Sequence, residues 1–443
     1  MVSDPNRVTV GIDAAVVANH QVAIRGSTGG EVIGEDFSVS PNLAGMARLT
    51  ERLSVYPGSL VVAEPTGMSW LSLGHAVNDA DCGFALIESR YSSKLRQAIA
   101  GKNKTDVIDA DMLATSADLF GLSAAPLPTA GEVALRRAVR RRHRLTAEGH
   151  NADLRLWSLA AWAFPDLWKA MGESHRLGRA VLGQWPRLDQ LSRAHTKSIA
   201  ALCKADLRDS GDPQQRAERI RDTARGWARF WSGRLDLDAL AWEITELLDD
   251  IDIADHKVEE ASQKATRLWR SAYGSDDLLL SVSGMGPVTA PVVRAYLGDG
   301  HQFQTSKQAV AFVGLNPSNW ESGLMVSPSR PITKEGPPEL RLAFYQAANV
   351  ARQFDPQLAA FYQRMMCERG HHHMQATCAT ARKLVCRVWA TLTSGEPYEL
   401  RDIDGNPVDR VEARRLVARY AVPEHVRRRA RARNKPRRGR LSG

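Results

Sequence analysis

Cysteine is scarce and unpaired in this sequence. The five (Cys82, Cys203, Cys367, Cys378 and Cys386) are odd in number and form no CxxC pair, which argues against a disulfide framework or a zinc ribbon and fits a reducing cytosol. No apolar run reaches the length of about 18 residues that marks a membrane-spanning helix, and the N-terminus has no basic-then-apolar leader. A soluble, cytoplasmic chain without a membrane partner is expected. No internal repeat and no phosphate loop of the Walker type is visible. Acids are almost missing from one end: residues 423–443 hold nine arginines and lysines against Glu424 alone, in a chain of 443 residues with net charge +9. A basic end on a body near neutrality points to a polyanion, nucleic acid ahead of membrane. The rest is 43% hydrophobic and 25% charged, which is globular, and the length suits two or three domains.

Along the chain, Arg7–Ile12 alternate and then run apolar as a strand that ends on Asp13. Strand-like runs follow at 20–26 and 31–39 around a Gly29-Gly30 turn signal. A helix from Asn42 to about Val55 precedes the apolar run Leu60–Ala63, which ends on Glu64. Helix 68–80 and strand 83–88 come next, then a basic stretch, then Thr105 as N-cap of a helix bearing Asp106, Asp109 and Asp111. This order predicts an α/β domain with a mixed sheet over 1–127. Pro126 and Pro128 open a helical region, 128–275. It contains RRAVRRRHR at 136–144 and a long helix at 233–272 whose Leu240, Ile244, Leu247 and Ile251 repeat as a coiled-coil stripe. A mainly helical domain is expected at 276–400 and a basic tail at 401–443. His371-His372-His373 read as a solvated loop, since three consecutive imidazoles cannot all face one ion.

Asp13 and Glu64 end apolar strands, and side chains at strand ends of an α/β sheet converge in a crevice. Asp106 and Asp109 share a helix face, whereas Asp111 points elsewhere. Four carboxylates brought together repel unless divalent cations neutralise them, and hard oxygen donors suit Mg²⁺, with Mn²⁺ as the alternative. The segments VGIDAA (10–15), VVAEPTG (61–67) and NKTDVIDADMLA (103–114) resemble the DEDD-motif transposases of bacterial insertion sequences, the group that includes the Piv and MooV invertases. The resemblance implies a RuvC-like, ribonuclease H type fold for the first domain. It also implies that Asp13, Glu64, Asp106 and Asp109 are the metal-binding acids.

Gly284-Met285-Gly286 opening an apolar stretch is similar to half of a helix-hairpin-helix, where a glycine turn lets backbone N–H groups approach a phosphate. The same family opens its C-terminal domain with G-x-G-x-x-[TS]-A, met here by 284–290. Gly298-Asp299 with Phe303, Gly314-Leu315, Ser322-Gly323, and a run through Arg330, Ile332, Lys334 and Gly336 match its later pieces. The resemblance implies that Ser322 is a nucleophile that becomes phosphoserine-linked to DNA. Glu321 stands where family members often have a second serine, and Ser318, Ser327 and Ser329 lie close by. The expected function is a transposase or site-specific recombinase acting on element-end and target DNA. The resemblance adds guidance by a structured non-coding RNA. Arg136, Arg137, Arg140, Arg141, Arg142 and Arg144, the turn at Gly284 and Gly286, Arg330 and Lys334, and Arg427, Arg428, Arg429, Arg431 and Arg433 are the expected nucleic-acid contacts. A homo-oligomer, dimer or tetramer, is expected from the coiled-coil stripe, and the protein is expected at the nucleoid. The alternatives are a RuvC-like nuclease using metal-activated water, an actin-like kinase, which lacks its second phosphate loop here, and a catalytically dead RNA-binding protein.

Overall fold

The period of two in the strands sets the first unit of the chain. The computed structural model describes residues 8–26, 31–99, 105–206, 211–317 and 331–434, and the chain divides into two compact units, 1–129 and 130–443. In the first, β1 (Val8–Asp13), β2 (His20–Gly26), β3 (Phe37–Val39), β4 (Leu60–Ala63) and β5 (Gly83–Leu86) form one sheet in the order β3-β2-β1-β4-β5. The first three strands are antiparallel, and β1, β4 and β5 run parallel. Val10, Ile12, Val61 and Ala63 point to one face, where α1 (Leu43–Leu53) and α2 (Ser69–Asn78) bury Leu49, Leu53, Trp70 and Leu73 against them. Leu60, Val62, Ala85 and Ile87 point to the other, where α4 (Asp106–Leu119) supplies Leu113 and Ala117. Each such fully buried leucine contributes roughly 2 kcal/mol of apolar burial. The mixed sheet meets the expectation. The strand expected at 31–39 shortens to β3, with Val32 making only an isolated bridge to Arg25. The basic stretch before Thr105 holds an unforeseen helix, α3 (Ser89–Ile99).

The second unit is helical. Two long helices, α5 (Ala130–Ala163) and α11 (Leu237–Tyr273), pack antiparallel along their length. Arg142 near the start of α5 donates to Ser262 Oγ at 2.8 Å, Tyr273 faces Glu132, and Gly149 gives α5 close approach to Ala254. One half of this pair shares a core with α6 (Pro165–Ala170), α7 (His175–Gln184), α8 (Leu188–Arg193), α9 (Thr196–Ala205) and α10 (Pro213–Trp231). The other half shares a core with α12 (Thr289–Leu297), α13 (Ser306–Val313), α14 (Pro338–Ala351) and α16 (His373–Ser394), and α15 (Pro356–Cys367) packs on α16. Leu240, Ile244 and Ile251 of the expected coiled-coil stripe are buried in the core that α5 shares. These residues pack within the same chain.

Two expectations near the C-terminus need correction. His372 is the N-cap of α16, accepting from the Gln375 N–H, and His373 begins the helix; His371 and His372 are half-buried and His373 is exposed, so only the first two precede the helix. The segment expected as a basic tail contains α17 (Arg410–Ala418) and α18 (Glu424–Asn434), and Val422 and Val426 are buried against Tyr362, Met366 and Ala376.

Candidate active site

Asp13 and Glu64 lie at one sheet edge because their strands are parallel neighbours. Ile12 pairs with Ala63, so the next residues of β1 and β4 leave the sheet side by side at its carboxyl edge. Alternation sends both toward the same face, since Gly11 and Asp13 share one side of β1 and Leu60, Val62 and Glu64 share the matching side of β4. That face belongs to α4. Gly11 is glycine because α4 lies directly on it: a Cβ there would stand 1.9 Å from the Ala110 carbonyl oxygen and 2.4 Å from the Ala114 nitrogen. The chain after α4 returns to the start of β5, where the Ala125 N–H donates to the Phe84 carbonyl. So α4 runs antiparallel to the parallel strands and its first turn lies at their carboxyl edge. Thr105 caps that turn by accepting from the Ile108 N–H at 3.3 Å, as expected. Asp109 is buried and Asp106 exposed. Asp111 points away as expected: it accepts from Arg25 Nε at 2.5 Å, and Arg25 also pairs with Asp36, which holds the Asp36 carboxyl below its usual range.

The helix that sequence reasoning missed supplies the partners of these acids. Ser92 and Arg96 sit four apart on one face of α3. Ser92 Oγ donates to Glu64 Oε1 at 2.5 Å, and Arg96 Nη1 lies 3.2 Å from Asp109 Oδ2. The four acids are hard oxygen donors of the kind Mg²⁺ or Mn²⁺ takes. Among the described residues, no three His, Cys, Asp or Glu side chains are gathered as a metal-holding group. The donor chemistry fits a divalent cation, but Arg96 and Ser92 hold two of the donors as the side chains stand.

Ser322 and Arg330 lie outside the described residues; the two ends of their segment do not. The Pro317–Ile332 bridge, the Thr333 N–H on the Asn316 carbonyl at 2.9 Å and the Lys334 N–H on the Gly314 carbonyl at 3.1 Å close a two-stranded neck. Gly314 and Gly336 allow the close approach, since a Cβ on Gly336 would stand 1.9 Å from the Phe312 carbonyl oxygen. Lys334 is exposed, with a positive φ of 58°. The two glycines of the 284–286 turn differ in role. Gly284 (φ 87°) is a packing glycine, its missing Cβ 2.2 Å from the Ala347 carbonyl oxygen. Gly286 has open space at that position, but its N–H is bonded to Thr289 Oγ1 at 3.0 Å. It faces a cavity of 480 Å³ whose lining includes Arg410 and Arg414, one turn apart on α17, which sequence reasoning did not single out.

The arginine-rich stretch of α5 divides by helical period. Arg136 donates to the Ala295 carbonyl, Arg140 to the Tyr296 hydroxyl and Arg142 to Ser262, and burial lowers the Arg136 and Arg142 pKa values. These three hold the second unit together. Arg137, Arg141 and Arg144, spaced by four and three, form an exposed row. On α18, Arg427, Arg428, Arg429 and Arg431 are exposed, and the side chain of Arg433 lies outside the described residues.

Two family models match parts of this chain. A model of the DEDD-type IS110 transposases matches residues 10–165, which contain all four acids. A second model, described as the transposase IS116/IS110/IS902 family, matches 276–363, which contain the glycine turn and the serine segment. The chain is 24% identical over 346 residues to the insertion element IS110 uncharacterized 43.6 kDa protein of Streptomyces coelicolor, covering 77% of this chain and 83% of that one. It is 31% identical over 125 residues to the pilin gene-inverting protein of Moraxella lacunata, 28% of this chain and 38% of that one. It is also 31% identical over 124 residues to the transposase for insertion sequence element IS1328 of Yersinia enterocolitica, 27% and 36% of the two chains.

Proposed function

Because this chain belongs to the IS110 family of DEDD transposases, we propose that it cuts and rejoins DNA through a metal-dependent acid site in its first unit and a serine nucleophile in its second. The observation that carries the acid site is the convergence of Asp13 and Glu64, on adjacent parallel strands, with the first turn of α4 at one sheet edge. The mixed sheet supports the ribonuclease H type reading of this unit. Asp13, Glu64, Asp106 and Asp109 are the residues to hold Mg²⁺, with Mn²⁺ as a substitute. When bound, the ion supplies Lewis-acid polarisation of the scissile phosphate and offsets the repulsion among the acids. Ser322 Oγ forms the new bond to phosphorus as the strand's own P–O bond breaks, and the leaving strand oxygen takes the proton that the serine gives up. The linkage conserves the phosphodiester, so the reverse attack rejoins DNA without ATP. Gly314, Gly336 and the neck they form hold the ends of the serine segment.

The nucleic-acid contacts on this reading are the exposed Arg137, Arg141 and Arg144 row, Lys334, Arg330, the 284–286 turn and the arginines of α18. The partners are element-end and target DNA and a structured non-coding guide RNA encoded by the element.

The test is a denaturing gel of protein incubated with DNA carrying an element end. The unaltered chain leaves protein attached to DNA, Ser322→Ala leaves none while divalent-metal binding persists, and Glu64→Ala or Asp109→Ala leaves neither cleavage nor adduct. Strand cleavage by Ser322→Ala with no adduct in the unaltered chain would assign a RuvC-like nuclease using metal-activated water instead. An undiminished adduct in Ser322→Ala moves the nucleophile to another residue.

A further inference from the structure

A second concentration of positive charge lies in the second unit, away from the acids, the glycine turn and the serine neck in sequence. α14, α15, α16 and α18 enclose a cavity of 360 Å³ whose lining includes Arg352, Arg427, Arg431, His372, His373 and Tyr362 and no carboxylate. Its guanidinium groups come from two separate elements. Arg352 follows the last turn of α14, held by two bonds to Asn349 Oδ1 at 3.0 and 2.9 Å and stacked over the Tyr362 ring at 4.3 Å. Arg427 and Arg431 stand four apart on α18, so they share a face. That helix is seated on α15 through Val422, Val426 and Met366. The nearest acid on α18, Glu424, lies 3.7 Å from Arg431 and 3.6 Å from Arg428 and is itself exposed.

His372 adds a donor rather than a competing acceptor. The Gln375 N–H can only donate, so the His372 Nδ1 that meets it is an acceptor, and the neutral ring carries its proton on Nε2. His373 Nδ1 is paired with the Tyr362 hydroxyl at 2.7 Å, which orients its ring. The N-terminus of the 22-residue α16 starts at His373, with the positive end of its dipole at the same place. Guanidinium groups, one of them held by Asn349, with an imidazole N–H and a helix N-terminus and no carboxylate in the lining, make a receptor for a compact, multiply charged oxyanion.

We propose that this cavity seats a phosphate group borne by a nucleic-acid strand, as an anchor distinct from the reacting site. The inference rests on the nucleic-acid reading above. Two sources share the chemistry: an internal phosphodiester, and a terminal 5′-phosphate, whose charge of about −1.5 to −2 at pH 7 matches several cations better. Tyr362 offers an aromatic side chain beside the cations.

The test compares the full chain with Arg427→Gln/Arg431→Gln and with Arg428→Gln/Arg429→Gln, which removes equal charge from the same exposed helix outside the cavity. Binding of single-stranded DNA and RNA oligonucleotides, 5′-phosphorylated and 5′-hydroxyl, is measured by fluorescence anisotropy across a salt series. The cavity pair is expected to weaken binding by roughly tenfold beyond the control pair. Arg352→Gln is expected to do the same with the helix unaltered. A 5′-phosphate preference lost in the cavity variants assigns a terminal phosphate, and equal losses for both oligonucleotides assign an internal one. Cavity and control pairs that weaken binding equally, with Arg352→Gln unaffected, overturn the anchor and leave the nucleic-acid reading standing. If the unaltered chain binds no strand even at low salt, both readings fall together.

Discussion

At the scale of single residues, the acids and their partners are set by opposite rules. Asp13 and Glu64 are legible in the sequence because each ends an apolar strand, and Asp109 because Thr105 fixes the start of its helix. Ser92 and Arg96 were not legible. The helix does carry Tyr91, Leu95 and Ile99 at a spacing of four, but the residue that meets Glu64 is a serine, which no apolar pattern singles out. Arg96 stands where positive charge is needed, 3.2 Å from a carboxylate that is 8% exposed. On the metal-dependent reading proposed above, it supplies part of the neutralising charge and competes with the cation for Asp109. Arg96→Gln is expected to lower the stability of the metal-free chain by about 1 kcal/mol, on the order of 3 °C, because partial exposure screens the pair. It is also expected to bind Mg²⁺ more tightly, so that adding Mg²⁺ raises its melting temperature more than that of the unaltered chain. Calorimetry with and without Mg²⁺ checks both, and an equal Mg²⁺ increment in the two proteins would refute the competition.

At the scale of elements, the placement of α4 depends on one missing side chain. Gly11 lets α4 rest on β1, and no rotamer change can relieve a Cβ aimed at backbone atoms 1.9 and 2.4 Å away. Gly11→Ala is expected to cost roughly 3 kcal/mol or more by moving the helix that carries Asp106 and Asp109. Chemical denaturation followed by far-UV circular dichroism measures this, and a cost below about 1 kcal/mol would mean that α4 is seated otherwise. The same scale explains the arginine-rich run of α5. Its nine residues read as one basic feature in sequence, but helical geometry separates them into two sets. Arg136, Arg140 and Arg142 reach α12 and α11, whereas Arg137, Arg141 and Arg144 face solvent. Replacing the exposed three by Gln is expected to flatten the slope of log affinity against log salt by roughly two to three with stability unchanged. Replacing the engaged three is expected to lower the melting temperature. A stable protein with an unchanged salt slope after the exposed replacements would exclude this row from the phosphate contacts. The coiled-coil stripe carries the same lesson: its period was legible, but not that α5 of the same chain would cover it.

At the scale of the whole molecule, charge is distributed by task. Residues 1–127 hold nine bases and fourteen acids, while the chain as a whole is +9, so the first unit is acidic. The arginines of 423–443 looked in sequence like one uniform basic tail. The structure describes them as far as Asn434. Before it, α18 is packed, with Val426 buried beside Tyr362 and Ala376 and with Arg427 and Arg431 lining a cavity. Beyond it, residues 435–443 contribute Lys435, Arg437, Arg438 and Arg440. Two truncations therefore differ in kind. Ending the chain at Asn434 removes four charges, so it is expected to flatten the salt dependence of nucleic-acid binding by up to about three to four in slope. Ending it at Val422 removes the Val426 contacts as well and is expected to cost about 2 kcal/mol in addition to the charge effect. Salt-series binding paired with thermal melts separates the two. Equal melting temperatures for both truncations would mean that α18 contributes nothing to the fold and acts only as a charged arm.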